Sequence, residues 1–205
     1  KITLEHDSLL IFDEVVTGFR ASSGGAQKYF SIKPDLTTLG KALGNGFPIA
    51  AIGGKSEIMD MLSPEGKVYQ ASTYAGNPVS VAAGIESVRT INKLKSKLYL
   101  KLESQCKKLS SAIDDIASDM KLQHKINSIG SMFQIFFTNK PVTDYTSAKS
   151  ADSSKFKKLF QSLLKNGVFI APSQFETVFL SYAHSEENIN KTILAYEKAL
   201  KMVNR

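Results

Sequence analysis

Tryptophan is absent from this chain of 205 residues, cysteine occurs once and histidine three times. The lone Cys106 excludes a disulfide framework, and it lies in a Lys-rich helical pattern with no second thiol for a metal site. His6, His124 and His184 show no ligand spacing, so no metal centre is expected. Arginine is nearly as scarce: Arg20, Arg89 and Arg205 stand among 26 basic residues. Arginine forks dominate base and phosphate readout, so the net charge of +7 reads as lysine-covered helix faces at 93–108 and 149–165 rather than a nucleic-acid surface. No run approaches the roughly 18 apolar residues that span a bilayer, and no charged-then-apolar leader precedes a cleavage site. The expectation is a cytoplasmic protein with neither a nucleic-acid nor a membrane partner.

Hydrophobic residues make up 42% of the chain and charged residues 22%, ordinary for a globular α/β protein with a sizeable core. Ser8-Leu9-Leu10-Ile11-Phe12 is a continuous apolar run ended by Asp13 and Glu14, as expected of a strand buried on both faces of a parallel sheet. Leu36 to Leu39 reads as a second strand and Phe47 to Ile52 as a third, closed by Gly53-Gly54. Short helices are expected over 26–30 and 56–62, and Pro78 is placed to open a longer one through Thr90. Beyond the next helix, 98–118, Phe133, Ile135 and Phe137 alternate as in a strand with one buried face. A loop over 139–150, a helix over 155–164, short strands over 168–171 and 178–182 and a closing helix over 186–203 complete the reading. Composition shifts near Lys93, which places a domain boundary there: 1–93 and 94–205. The chain enters close to a strand with no cap or turn cluster before it, so a fragment, or a chain whose earlier half is absent, is expected.

Chemistry is expected where ligands bind open α/β sheets, outside the carboxyl ends of the strands. Asp13 ends the first strand, and Lys41 follows the second inside a glycine-rich turn, Gly40-Lys41-Ala42-Leu43-Gly44-Asn45-Gly46. Glycines there let backbone approach a ligand closely. A carboxylate and an amine at one sheet edge suit pyridoxal phosphate: the carboxylate keeps the pyridine nitrogen protonated and the amine is the covalent attachment point. Either residue alone reads as a turn-capping aspartate or a loop lysine; the pair carries the reading.

The run Leu9-Leu10-Ile11-Phe12-Asp13-Glu14-Val15, with Lys41 following Asp13 inside Pro34-Asp35-Leu36-Thr37-Thr38-Leu39-Gly40-Lys41, resembles the class III pyridoxal-phosphate-dependent aminotransferases of fold type I. Gly24-Gly25-Ala26-Gln27, the stretch Val68 to Pro78, Ala171-Pro172-Ser173-Gln174-Phe175-Glu176 and Ser181-Tyr182-Ala183-His184 are similar to the aminomutase members of that class. The resemblance covers essentially all of the chain and about the carboxyl-terminal half of the family's length. It implies part of a large, mostly parallel-sheet domain followed by a small α+β domain. It also implies an intramolecular aminotransferase cycling pyridoxal and pyridoxamine phosphate, an amino-aldehyde substrate, and a homodimer.

By the same resemblance Lys41 is the covalent anchor and proton shuttle, and Asp13 pairs with the ring nitrogen. Val15 packs on a ring face, Thr73 binds the cofactor phosphate across the dimer interface, and Glu176 is a carboxylate near the substrate. Asn45 departs from the family's glycine-like position, as do Ser72 and Tyr74 beside Thr73. The family's phosphate cup, stacking aromatic and gating loop belong to its other half. An ω-amino-acid transaminase and a non-catalytic chain that keeps the fold remain the alternatives.

Overall fold

The computed structural model describes residues 1–204. Contacts divide the chain into two compact units, Lys1–Lys97 and Leu98–Arg205.

The first unit is built on a three-stranded sheet of order β1-β2-β3, with β1 at Ile11–Glu14, β2 at Leu36–Leu39 and β3 at Ala51–Gly54. The helices α1 (Ile2–Glu5), α2 (Gly25–Tyr29), α3 (Ser56–Met59) and α4 (Pro78–Leu94) complete it. β1 and β2 run parallel, whereas β3 returns antiparallel to β2. Three expectations need correction. β1 begins at Ile11 rather than Ser8 and takes Asp13 and Glu14 into the strand. It is not buried on both faces here: Ile11 is 56% exposed, and among the described residues β1 pairs only with β2, at the sheet edge. The third strand starts at Ala51 because Gly44 to Ile49 is spent on turns, with the Phe47 N–H on the Gly44 carbonyl and the Ile49 N–H on that of Phe47.

Asp35 ties the start of this sheet together. Its carboxylate accepts the Leu10 N–H at 2.6 Å and pairs with Lys55 Nζ at 2.6 Å, joining the entries of β1 and β2 to the exit of β3. The Leu10 N–H and then Lys55 hold its carboxyl below the usual range. α4 opens as its sequence dictates: Asn77 Oδ1 accepts from the N–H groups of Val79 and Ser80, and Pro78 takes the first helical position.

In the second unit β4 (Lys125–Ile129), β5 (Met132–Phe136) and β6 (Val178–Phe179) form an antiparallel sheet of order β4-β5-β6. The helices are α5 (Ser96–Asp119), α6 (Tyr145–Lys149), α7 (Ser153–Lys165) and α8 (Glu186–Val203). β5 lies between two strands and all five of its residues are buried, so the expected single buried face is wrong. β4 has no strong alternation of its own and pairs because Gly130, at φ 56°, turns the chain back onto β5.

α6 interrupts the expected 139–150 loop, started by a reciprocal cap between Asp144 and Ser147. No strand forms over 168–171. Gly167 at φ 80° ends α7, and the Val168 N–H bonds the Leu163 carbonyl, which commits that segment to the helix terminus. The core gathers Ile113, Phe133, Ile135, Leu159, Leu163, Tyr196 and Leu200, all at 1% exposure or less, with α7 packed on α8. Each such side chain contributes about 1.5–3 kcal/mol relative to exposure.

Candidate active site

The parallel register sets Asp13 beside Thr38 and Glu14 beside Leu39, so β1 and β2 deliver their carboxyl ends to one edge. Lys41 lies two residues past that last pair and opens a single 3-10 turn, Lys41–Leu43. The turn is closed by the Leu43 N–H on the Gly40 carbonyl and by the Gly44 and Asn45 N–H groups on the Lys41 carbonyl. Lys41 itself holds φ at 42°, a left-handed conformation costing a non-glycine residue about 1–2 kcal/mol. Such strain concentrates where a side chain must be aimed. The turn is braced from below: a Cβ on Gly44 would fall 2.3 Å from the Phe47 carbonyl oxygen, and Ile49 fills the space up to Gly84 of α4. Asn45 accepts φ 47°, so the departure from glycine keeps the turn.

Asp13 is exposed, and its Oδ1 accepts the Val15 N–H at 3.0 Å and the Thr38 hydroxyl at 3.3 Å. These bonds orient the carboxylate at the strand end. Val15 reaches across the edge: its Cγ1 lies 3.5 Å from where a Cβ on Gly40 would stand, so the residue before Lys41 packs against the residue two beyond Asp13. Lys41 borders a hollow of about 450 Å³ walled also by Arg20, Asn45, Gly46, Phe47 and Pro48; Asp13 and Val15 are not among its walls. Burial pulls the Arg20 guanidinium below its ordinary value, yet it stays a cation at neutral pH.

Thr73 is exposed in a reverse turn closed by the Ala75 N–H on the Ser72 carbonyl, with Ser72 Oγ accepting from the Tyr74 N–H. Ser72 thus shapes the turn that presents Thr73. Glu176 belongs to the second unit, exposed at the end of a turn in which its N–H bonds the Ser173 carbonyl. Asp13, Val15 and Lys41 therefore lie along one sheet edge, and Thr73 and Glu176 are each presented from separate turns. Among the described residues no His/Cys/Asp/Glu cluster could hold a metal, and no helix is long and apolar enough to cross a membrane.

Sequence reasoning missed Glu14. Its side chain is 1% exposed and points away from Asp13, as strand alternation requires. Oε2 accepts the Thr17 hydroxyl at 2.5 Å and the Ala26 N–H at 2.8 Å, and Oε1 accepts the Gln27 N–H at 2.8 Å. Burial raises its pKa, but the Gln27 N–H, the Thr17 hydroxyl and the Ala26 N–H outweigh this and hold the carboxyl below 4.5. Gly25, at φ 67°, leaves no room for a Cβ, which would sit 2.4 Å from Oε2. Glu14 thereby staples the start of α2 to β1 and fixes the intervening loop, which carries Arg20. The signal was present in Gly24-Gly25-Ala26-Gln27, a stretch meaningful only once a buried anion needs its N–H groups.

The aminotransferase class-III family pattern matches residues 1–200. The chain belongs to the class III aminotransferases. Its fold is accordingly that of the fold type I transferases. The class III chain is 65% identical over 203 residues to a glutamate-1-semialdehyde 2,1-aminomutase of Nitrosopumilus maritimus, covering 99% of this chain and 48% of that protein. It is 57% identical over 191 residues to glutamate-1-semialdehyde 2,1-aminomutase 1 of Cenarchaeum symbiosum, covering 93% and 45%. The chain thus spans about half the length of the curated relatives it matches. Among solved structures, an omega-transaminase from Sphaerobacter thermophilus superposes with a TM-score of 0.87 at 26% identity, over 100% of this chain and 46% of that one. A glutamate-1-semialdehyde aminomutase from Pseudomonas aeruginosa, in complex with PMP, superposes at 0.81 and 20% identity, over 98% and 46%, and shares the fold.

Proposed function

We propose that this chain is part of a pyridoxal-phosphate-dependent glutamate-1-semialdehyde 2,1-aminomutase, which converts (S)-4-amino-5-oxopentanoate to 5-aminolevulinate for tetrapyrrole synthesis. The observation that carries the reading is the 65% identity over 99% of the chain to an aminomutase. The residues present fit the cofactor. A carboxylate at one strand end, an amine just past the next, and Val15 packed on a glycine between them give a charge partner, an attachment point and an apolar surface. On this reading residues 1–93 belong to the cofactor-binding large domain and 94–205 form the small domain. The protein is a cytoplasmic homodimer.

When bound, the cofactor supplies a protonated ring that stabilises negative charge on the carbon losing its proton. Asp13 holds the proton on the ring nitrogen, its Oδ1 oriented by the Val15 N–H and the Thr38 hydroxyl. Lys41 Nζ would be the covalent attachment point for the cofactor, and its amine would serve as the general base that takes up and returns a proton there. Val15 packs against one ring face and keeps water from it. Thr73 offers its hydroxyl and N–H to the phosphate from the partner subunit's side of the dimer. Glu176, exposed in its turn, is the carboxylate this reading assigns to substrate recognition.

The similarity to an omega-transaminase structure favours a second reading, an ω-amino-acid transaminase that needs a second substrate to recycle the cofactor. Turnover of glutamate-1-semialdehyde by the full-length protein separates the two. Conversion to 5-aminolevulinate without any keto acid is expected; a strict keto-acid requirement would establish the transaminase instead.

A further inference from the structure

Gln134 is a polar residue at the centre of the most buried strand of the second unit, between Phe133 and Ile135, and is only 5% exposed. Its Nε2 donates to the Gln174 carbonyl at 2.8 Å. Gln174, 4% exposed, donates its own Nε2 to the Ala148 carbonyl in α6 at 3.1 Å. Both side chains leave Oε1 without a protein partner, so each amide sits in the core at a desolvation cost that only its donor bond offsets. What the two donor bonds do is local. Gln174 and Phe175 are the central residues of the turn that the Glu176 N–H closes on Ser173. The turn is held from inside at Gln174, by main chain to β5 and by side chain to α6. From outside the Phe175 ring lies against Tyr145 of α6, centroids 5.6 Å apart. Glu176 leaves this clamped turn into solvent.

We propose that Gln134 and Gln174 are positioning residues for substrate recognition: they fix the turn that aims Glu176. The inference rests on the reading of Glu176 as the substrate-side carboxylate. Loss of one such buried bond, without loss of the core, lets the turn relax and weakens substrate binding while the Asp13–Lys41 edge is untouched.

The test uses the full-length protein with glutamate-1-semialdehyde and the variants Gln134→Met, Gln174→Met and Glu176→Gln. One hydrogen bond corresponds to about a fivefold effect, so each Met variant should raise KM about fivefold. It should leave kcat and the cofactor's visible absorption band unchanged, and speed hydrogen exchange at the Glu176 amide. In the Glu176→Gln background, Gln134→Met should add nothing further to KM, since it acts through that carboxylate. A KM change in Glu176→Gln with none in either Met variant would overturn the inference and leave the role of Glu176 standing. A silent Glu176→Gln would overturn both. Parallel loss of thermal stability and kcat with KM constant would make the two glutamines purely structural. Should Gln134→Met fail to fold, Gln174→Met decides by the same measurements.

Discussion

Replacing Glu14 with glutamine preserves the shape of the side chain and removes its charge from a site where two backbone N–H groups and a hydroxyl converge. An amide has one acceptor oxygen. Either the Ala26 or the Gln27 N–H therefore keeps a partner, and the other is left facing an NH₂ group. The loss of one hydrogen bond to a charged group is about 1.5–3 kcal/mol, and the unsatisfied buried donor adds about 1–3 kcal/mol, giving roughly 2.5–6 kcal/mol in all. Urea unfolding at pH 7 reads this as a lower midpoint with an unchanged slope. The pH dependence has a fixed sign. The Glu14 carboxyl is held below 4.5 in the folded protein, so its contribution is complete above that pH and is lost as pH falls through the folded value. The gap between Glu14→Gln and the parent should thus be flat from pH 7 to about 5 and close on further acidification. Equal midpoints at pH 7, or a gap that widens in acid, would refute the staple.

Asp144→Ala removes one side of the reciprocal cap on α6 and should lower stability by about 1 kcal/mol, read from the same urea midpoints. Cys106 is 2% exposed, and burial followed by the charge of Glu103 pushes its thiol up to about 11. It should fail to react with a thiol-disulfide reagent at pH 8 until the protein is unfolded, and rapid native labelling would contradict this. Leu163→Ala opens the fully buried α7 face and should cost about 2–5 kcal/mol, seen as a drop in melting temperature.

Much of this architecture was legible where local chemistry and tertiary context agree. β2 and α8 fall over the residues expected from the sequence, and Pro78 after Asn77 fixed the start of α4. The rest depended on partners that no local window contains. Ile11 carries the pattern of a buried strand but lies at a sheet edge, and Gln134 between Phe133 and Ile135 gives a one-faced pattern to a strand that is covered on both faces. α6 was hidden because its cap, Asp144 with Ser147, sits among other polar residues that read as a loop. At the candidate site, Asp13 and Lys41 stood out in the sequence because each lies close to the carboxyl end of a strand. Glu14 was not, because its role exists only once the chain folds Ala26 and Gln27 back over it.

Whether Lys41 is the covalent anchor of pyridoxal phosphate is decided by titrating the full-length protein with the cofactor. A visible absorption band is expected that survives gel filtration in the parent protein, is discharged by borohydride onto the peptide containing Lys41, and is missing in Lys41→Ala. Retention of the same band in Lys41→Ala, or labelling of a different lysine, would contradict it.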